Sequence, residues 1–581
     1  MRDFLAVSGD ASHPRPELLG TSATGHRSGD GWVAFTGAEP GDVIDDDTFT
    51  VRLTRSVRDR ASDLDTSLLA RLLAEGEPSD PAALAAVLPP WGAAHRSAAS
   101  TPVVMATDWL GMRHLYYWQG DGVAAVSTSA RTLARLAGAG LDTAALGVQS
   151  LVGWQVGTST PFTGVHKLAP GCLAVLNGGR AEVRRYAADS MPPSGRAASF
   201  DEVVDEMATI LRDIHTGYLA DHPDTVLQLT GGQDSRLLLC AIPPKMRDGL
   251  HALTLDVGGG VESRVAARLS ELGGLRHEVF RVDQQPPVTD AVAHDTALAA
   301  AAALECSASP VALAPLTLFE SHLSQGHRLS GAGGETARGF YYAGQTGGTT
   351  SPRLVERLAD WRLFVNEAVA ADALEPDFVT AARGHALAAV GRAFEGYDTD
   401  WLRATDEFYL WQRTQRWAGA HGTPAAIDRF FVNPLLDRRF MELALTPAPE
   451  QKRGSRLTGQ LMHRLDPALA AIPLDSGLVP AKLGQAGLGT RAALARVALR
   501  KTTAKVRQRV TGGRRTQMGA ATISAAVVRH WRAEPDRPAA LRETGIVRSG
   551  WLDELLDGRR SADPSTVAFL LNLLVAAEAR R

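Results

Sequence analysis

One stretch constrains this chain more than any other: Val226-Leu227-Gln228-Leu229-Thr230-Gly231-Gly232-Gln233-Asp234-Ser235-Arg236-Leu237-Leu238-Leu239. An alternating apolar run, a glycine pair and an unbroken leucine run predict a buried strand, a tight turn and a helix. The glycines let the backbone approach an anion closely. Thr230, Ser235 and the N–H groups of the first helical turn can point at phosphate oxygens. Phosphates would repel Asp234 unless a divalent cation lay between them, so the stretch predicts a nucleotide with Mg2+. A turn that needs glycine for backbone reasons alone is the plainer reading of Gly231-Gly232 by themselves. Asp234 and Ser235 in register favour the nucleotide.

The stretch resembles the pyrophosphate loop of the adenylating PP-loop enzymes, written S-G-G-x-D-S, with Thr230 standing for the first Ser. More of the chain extends the likeness. Asp108-Trp109-Leu110-Gly111-Met112-Arg113-His114-Leu115-Tyr116-Tyr117, then Ser127-Thr128-Ser129, then Thr160 to Gly171, fall in order. They are similar to the D-R-x-G-x-x-P-L-Y-Y, a-S-E and T-x-F-x-G-I-x-x-L-x-P-G landmarks of the glutaminase domain of class B asparagine synthetases. That resemblance implies an Ntn-type antiparallel sandwich followed by an α/β synthetase domain with a parallel sheet, an α+β arrangement overall. Short strand-like runs at Phe4–Val7, Trp32–Phe35, Phe49–Leu53, Val103–Ala106, Leu115–Trp118 and Val123–Ser127 suit the sandwich.

The family's glutaminase uses an N-terminal cysteine exposed after Met removal. Arg2 stands there and no cysteine precedes Cys172. A guanidinium is no nucleophile, so glutamine hydrolysis is expected to be absent and Cys172 to be a small core residue. The Pro/Gly/Ser cluster Met191–Ser199 marks a boundary, dividing the chain into 1–190, 200–485 and a helical extension 486–581. Ser199-Phe200-Asp201-Glu202 can cap a helix through Ile214, with Val203, Met207, Ile210, Leu211 and Ile214 on one face. Strands at His251–Val257 and Leu275–Phe280, with a helix from Glu262 to Leu272 between them, give βαβαβ spacing. By resemblance, backbone near Leu229, Leu255 and Val257 brackets adenine; on pattern alone these are core strand residues.

A second loop, Ser330-Gly331-Ala332-Gly333-Gly334-Glu335-Thr336-Ala337-Arg338-Gly339-Phe340-Tyr341-Tyr342, resembles the family's S-G-E-G-S-D-E-x-F-G-G-Y. Ser330, Gly331 and Gly333 match, and Glu335 replaces the Asp. The resemblance therefore makes Glu335 the second Mg2+ carboxylate opposite Asp234, with Ser235 and Gln233 in the nucleotide loop. Asp406 to Trp417 and Val432 to Asp437 are further landmarks. In the second, Phe430 and Val432 fall where the family has Glu and Arg, which is expected to rewire the surroundings of the acyl substrate. The family's catalytic lysine would fall near Thr458–Leu461, where this chain has none. Lys452 is the nearest lysine and Arg456 lies closer; a solvated surface role for Lys452 stays open.

Composition bounds the rest. A chain of 581 residues is too large for one core, and a net charge of −3 offers no bulk field to recruit nucleic acid or membrane. Three scattered cysteines argue against a disulfide framework, and no apolar run is long enough to span a bilayer, so a cytoplasmic protein is expected. Past Pro480, Arg491, Arg496, Arg500, Lys501, Lys505, Arg507, Arg509, Arg514 and Arg515 occur with no acid among them. That pattern fits a helix with a basic face that is solvated or attracts an acidic peptide, a carrier protein or RNA.

The parts imply an ATP- and Mg2+-dependent ligase in which Asp234, Ser235, Glu335 and Lys452 carry the chemistry, a substrate carboxylate is adenylated, and an amine captures it. Without an ammonia source of its own, the chain is similar in kind to β-lactam synthetases and lasso peptide cyclases. Macrolactam formation in a ribosomal precursor peptide is the favoured expectation, with a processing protease or leader-binding protein as partner. Amide synthesis on a small metabolite with ammonia or an amine, an RNA-modifying PP-loop enzyme and a non-catalytic binding module are the alternatives.

Overall fold

The computed structural model describes residues 3–9, 14–37, 41–45, 47–188, 199–256, 260–286, 288–323, 326–483, 492–497, 503 and 519–579. Arg2, Val257, most of the 191–199 boundary and all of the basic positions above except Arg496 lie outside them.

Two six-stranded antiparallel sheets form the first part. One runs, edge to edge, through Val165–Lys167, Tyr116–Gln119, Val123–Ser127, Phe4–Gly9, Gly31–Thr36 and Ala23–Ser28. The other runs through Arg180–Arg185, Cys172–Asn177, Val103–Thr107, Gly92–Arg96, Thr48–Arg52 and Val43–Asp45. Phe4, Ala6, Val33 and Phe35 from the first meet Phe49, Val51, Met105, Ala174 and Leu176 from the second in one apolar core, with Cys172 buried among them. The alternate residues Leu5 and Val7 face the other way and are covered by Ala301, Cys306, Val575 and Ala576. Both faces of that strand are therefore apolar, which is why it reads as an unbroken hydrophobic run. The strands that the sequence leaves unmarked are those with weak patterns. Gly92–Arg96 is small-residue backbone, and Arg180–Arg185 is a charged edge strand.

A five-stranded parallel sheet follows, in the order Arg276–Arg281, His251–Asp256, Val226–Gln228, Arg328–Leu329, Phe431–Val432. Helices Asp234–Ala241 and Val261–Gly273 make the crossovers after the third- and second-written strands. The helix entering this sheet spans Phe200–Asp221 and begins with a capping box: Ser199 N donates to Glu202 Oε2 at 2.7 Å and Glu202 N to Ser199 Oγ at 3.3 Å. It runs past Ile214 because Tyr218 and Leu219 continue the buried face. Helices Ala520–Ala533 and Pro564–Glu578 pack on Asp290–Ala303 and Pro310–Phe319. The last turn of the chain also touches the first antiparallel sheet, so the tail joins both layers. No helix among the described residues is long and apolar enough to cross a membrane.

Leu211 is fully buried against the strand that carries the first glycine loop, whereas Leu272 is half exposed. Leu211→Ala is expected to cost about 2–5 kcal/mol and Leu272→Ala no more than about 0.5 kcal/mol, read as the difference between their losses in thermal midpoint.

Candidate active site at the carboxyl ends of the parallel strands

In a parallel sheet the loops leaving the carboxyl ends of neighbouring strands converge, and here both glycine loops do so. Leu229 ends its strand with both backbone groups engaged: its N–H donates to Leu253 O at 2.9 Å, and its carbonyl accepts from the Thr254 hydroxyl at 2.7 Å. The loop then folds on itself. Thr230 N donates to Ser235 Oγ at 3.0 Å, the two hydroxyls lie 3.1 Å apart, and Gly232 N donates to Thr230 Oγ1 at 3.1 Å. Helix Asp234–Ala241 starts with no side-chain cap, so its first N–H groups are left for an anion. Gly231 lets the start of helix Val261–Gly273 come close, since a Cβ there would sit 3.0 Å from Glu262 Cα. Leu255 is half-buried and packs beside Val226 and Phe280.

The second loop leaves Arg328–Leu329, with Ser330 N donating to Val432 O at 3.2 Å. Two of its glycines are needed for contact with the first loop: a Cβ on Gly331 would lie 2.9 Å from the Asp234 backbone, and one on Gly334 would collide with Asp234 Oδ1. Gly333 has φ +96°, a conformation that favours glycine. The short turn Gly334–Arg338 then presents Glu335 beside Asp234. Between the two acids lies Arg338, whose Nη2 is 2.7 Å from Asp234 Oδ2 and 3.1 Å from Glu335 Oε1. Asp234 Oδ1 is buried without a partner among the described residues. Burial, then the charge of Glu335, push the Asp234 carboxyl up to about 7, against the pull of Arg338. Two hard oxygen donors with one buried oxygen uncommitted fit Mg2+, with Asp234 and Glu335 as the residues that would hold it. No cluster of three or more His, Cys, Asp or Glu that could hold a metal ion occurs among the described residues.

Lys452 is the residue the sequence reading treats least well. It is no surface lysine: its side chain is 1% exposed, its Nζ forms an ion pair with Asp406, and that Nζ lies 3.4 Å from Thr336 O, next to Glu335. The Tyr342 hydroxyl donates to the same Asp406 Oδ2 at 2.5 Å. Burial lowers the Lys452 pKa and raises that of Asp406, and each partner opposes the shift of the other. Arg456 is exposed and stacks over the Phe200 ring at 5.3 Å, so it does not take the lysine's place. Thr458, where the lysine was expected, is buried and donates to Gln233 Oε1 at 2.9 Å. Gln233 Nε2 in turn donates to Ser455 Oγ at 3.0 Å, so the Gln233 side chain ties the loop to segment 455–458 and is turned from the anion side.

Phe430 precedes the last parallel strand at its amino end, stacked on His327 at 4.5 Å, and the Val432 side chain is in the core. Strand direction puts Phe430 at the end of the sheet away from the glycine loops, while Val432 ends its strand beside Ser330 with its carbonyl bonded to Ser330 N. Arg338, Tyr342 and the pairing role of Asp406 escaped the sequence reading. Arg338 had a local sign, three residues after Glu335 on a helical turn; Tyr342 and Asp406 meet only through the fold. No protein-family model matches the chain, and no curated protein sequence matches it.

Because the native Asp234 carboxyl is raised from 3.8, its ionisation opposes folding as pH climbs from about 4 towards about 7, while below that window it is protonated folded or unfolded. Asp234→Asn is therefore expected to raise the melting temperature at pH 7.5 and leave it unchanged near pH 4; a lower value at pH 7.5 would mean that attraction to Arg338 outweighs burial. Lys452→Met, which leaves Asp406 buried and unpaired, is expected to cost about 3–5 kcal/mol in chemical denaturation, with part of the loss recovered when Asp406→Asn is added.

Proposed function

We propose that the chain is an AMP-forming carbon–nitrogen ligase, which activates a substrate carboxylate with ATP and passes it to an amine. More narrowly, we infer that it closes a macrolactam within a peptide, with a peptide side-chain carboxylate as acyl donor and an amine of the same peptide as acceptor. In this reading the antiparallel layers are a glutaminase-like Ntn domain without its chemistry, roughly 1–190, and the parallel sheet belongs to a PP-loop domain, roughly 200–485.

The observation that carries the reading is convergence. The uncapped helix N-terminus at Asp234, Glu335 joined to Asp234 through Arg338, and the buried ammonium of Lys452 at the Thr336 carbonyl beside Glu335 come together from three distant stretches. The N–H groups of the first helical turn, with Thr230 and Ser235, would hold the phosphates of ATP. Mg2+ held by Asp234 and Glu335 would supply charge neutralisation for the departing pyrophosphate. A carboxylate oxygen of the substrate attacks the α-phosphorus and pyrophosphate leaves; the amine nitrogen then attacks the acyl carbon, AMP leaves, and the amine's proton is released. Lys452 supplies a positive charge where the acyl oxygen gains negative charge, in a position fixed before reaction by Asp406. Tyr342, whose phenol burial and Asp406 hold far above its ordinary value, stays a hydrogen-bond donor to that carboxylate.

The peptide is favoured by the wall beside the acids. Phe340 is 40% exposed, meets the Tyr409 ring at a tilt with centroids 4.6 Å apart, and lies under the Arg362 guanidinium at 5.7 Å. Phe340 follows directly on the turn Gly334–Arg338 and Gly339, so this wall continues the loop that carries Glu335. An open aromatic face with a cation beside it suits an extended acid-bearing segment better than a single amino acid. A protease or leader-binding protein that presents the precursor peptide belongs to the same reading.

The deciding test is ATP–pyrophosphate exchange with Mg2+, comparing wild type and Asp234→Ala on aspartate, glutamate and peptides with an N-terminal amine and an internal acid. Exchange with the peptides alone, lost in the variant, is the expected result. Exchange with aspartate would move the activity to small-metabolite amide synthesis, and absence of ATP binding would favour a non-catalytic module.

A further inference from the structure

We propose that Arg338 is a resident counter-cation that fills the place between Asp234 and Glu335 in the ligand-free chain and is displaced when a divalent metal enters. The proposal rests on the nucleotide-site reading of the two glycine loops and concerns how that site is opened.

One nitrogen makes both contacts: Nη2 of Arg338 reaches Asp234 Oδ2 at 2.7 Å and Glu335 Oε1 at 3.1 Å. Two carboxylates this close would repel each other in a half-buried cleft, and the guanidinium offsets that repulsion. A metal cannot share the gap. Magnesium takes oxygen ligands at roughly 2.0–2.1 Å, which leaves no room for a nitrogen between the same oxygens, and the two positive charges repel.

The guanidinium is held only in part. Its Nε has no partner among the described residues, and its side chain is about a quarter exposed, so it has a route to solvent. It sits at the end of a five-residue turn bounded by Gly333 and Gly339, at φ +96° and +64°. Across from it, Asp234 Oδ1 is buried and uncommitted, and the missing Cβ of Gly334 leaves that oxygen its space. The cleft therefore contains one spare metal-ligating oxygen and two more that are covered by a removable cation. Once displaced, Arg338 finds its nearest new anion in the phosphates of a nucleotide bound to the first loop. Metal and nucleotide are then coupled, because each provides what the other's entry disturbs.

The test is Mn2+ binding to the full chain without nucleotide, followed by the electron paramagnetic resonance signal of free Mn2+. Arg338→Met is expected to bind Mn2+ roughly tenfold or more tightly than wild type, since a fixed positive charge has left the site. Equal or weaker binding in that variant overturns the proposal. Wild type provides a second measurement that needs no folded variant: phenylglyoxal modification of Arg338, followed by peptide mass spectrometry. Saturating Mn2+ is expected to speed that modification several-fold, and slowing or no change counts against displacement. Neither readout uses adenylation, so failure of pyrophosphate exchange with this Mn2+ pattern intact would remove the ligase reading and leave the cation exchange standing.

Discussion

The close approach of two glycine loops is the constraint on which the rest of this site depends. Asp234 and Glu335 can face each other only because Gly331 and Gly334 have no side chains where the second loop crosses the start of helix Asp234–Ala241. A single methyl group at position 334 would push the loops apart and separate the acids. The approach puts like charges together in a half-buried place, and Arg338 answers that cost within the same turn that carries Glu335. Charge compensation and backbone proximity are thus one local arrangement.

The antiparallel layers support this site from behind. Asp108 accepts hydrogen bonds from the N–H groups of Leu110, Met112 and Arg113 at 2.9–3.1 Å, which fixes the loop that carries Trp109 and His114. Trp109 meets Trp411 edge-on at 5.8 Å, and His114 Nε2 lies 2.9 Å from Gln415 O. From the same layers, Gly157 N donates to Gln412 Oε1, and the carbonyls of Gln155 and Ser159 accept from Arg416. Segment 401–418, which also holds Asp406, is therefore clamped to the sandwich, and through Asp406 so is Lys452. Arg60 closes the second clamp, with two bonds of 2.5 and 2.7 Å to Asp437. The Asp108–Tyr117 turn therefore has a mechanical role, holding the segment that carries Asp406.

What the sequence made legible was local. The strand, turn and helix at Val226–Leu239, the capping box at Ser199 and the apolar sandwich strands all declare themselves within a few residues, because periodicity and caps are short-range physics. Glu335 is singled out by the resemblance of its loop to the family's second glycine loop, and the fold puts it beside Asp234 across Arg338. Lys452 is named in the same way, but its burial is not legible: a lysine among Gln, Arg and Gly reads as surface until its partner, 46 residues earlier, is brought beside it. The position of Phe430 was equally illegible, since residue identity says nothing about which end of a strand faces the loops. The polar edge strand Arg180–Arg185 was missed because an exposed strand is stabilised by its neighbour's ladder and needs no apolar pattern.

The position of Lys452 also shows how the two halves of the cleft are linked. Gly454 and Ser455 both adopt left-handed backbone, at φ +66° and +63°, just before helix Arg456–Leu465. For a serine that conformation costs on the order of 1 kcal/mol. It is held in place because Ser455 accepts the Gln233 amide while Thr458 donates to it, and those bonds fix the first glycine loop to the turn that follows Lys452. Arg236 adds a third tie, donating to the carbonyls of Ile472 and Pro473 from within the loop's own helix. The strained turn therefore sets the distance between the first glycine loop and the buried ammonium. The Gln233 side chain, bonded to both Ser455 and Thr458, is thus a spacer between the first glycine loop and the turn that follows Lys452.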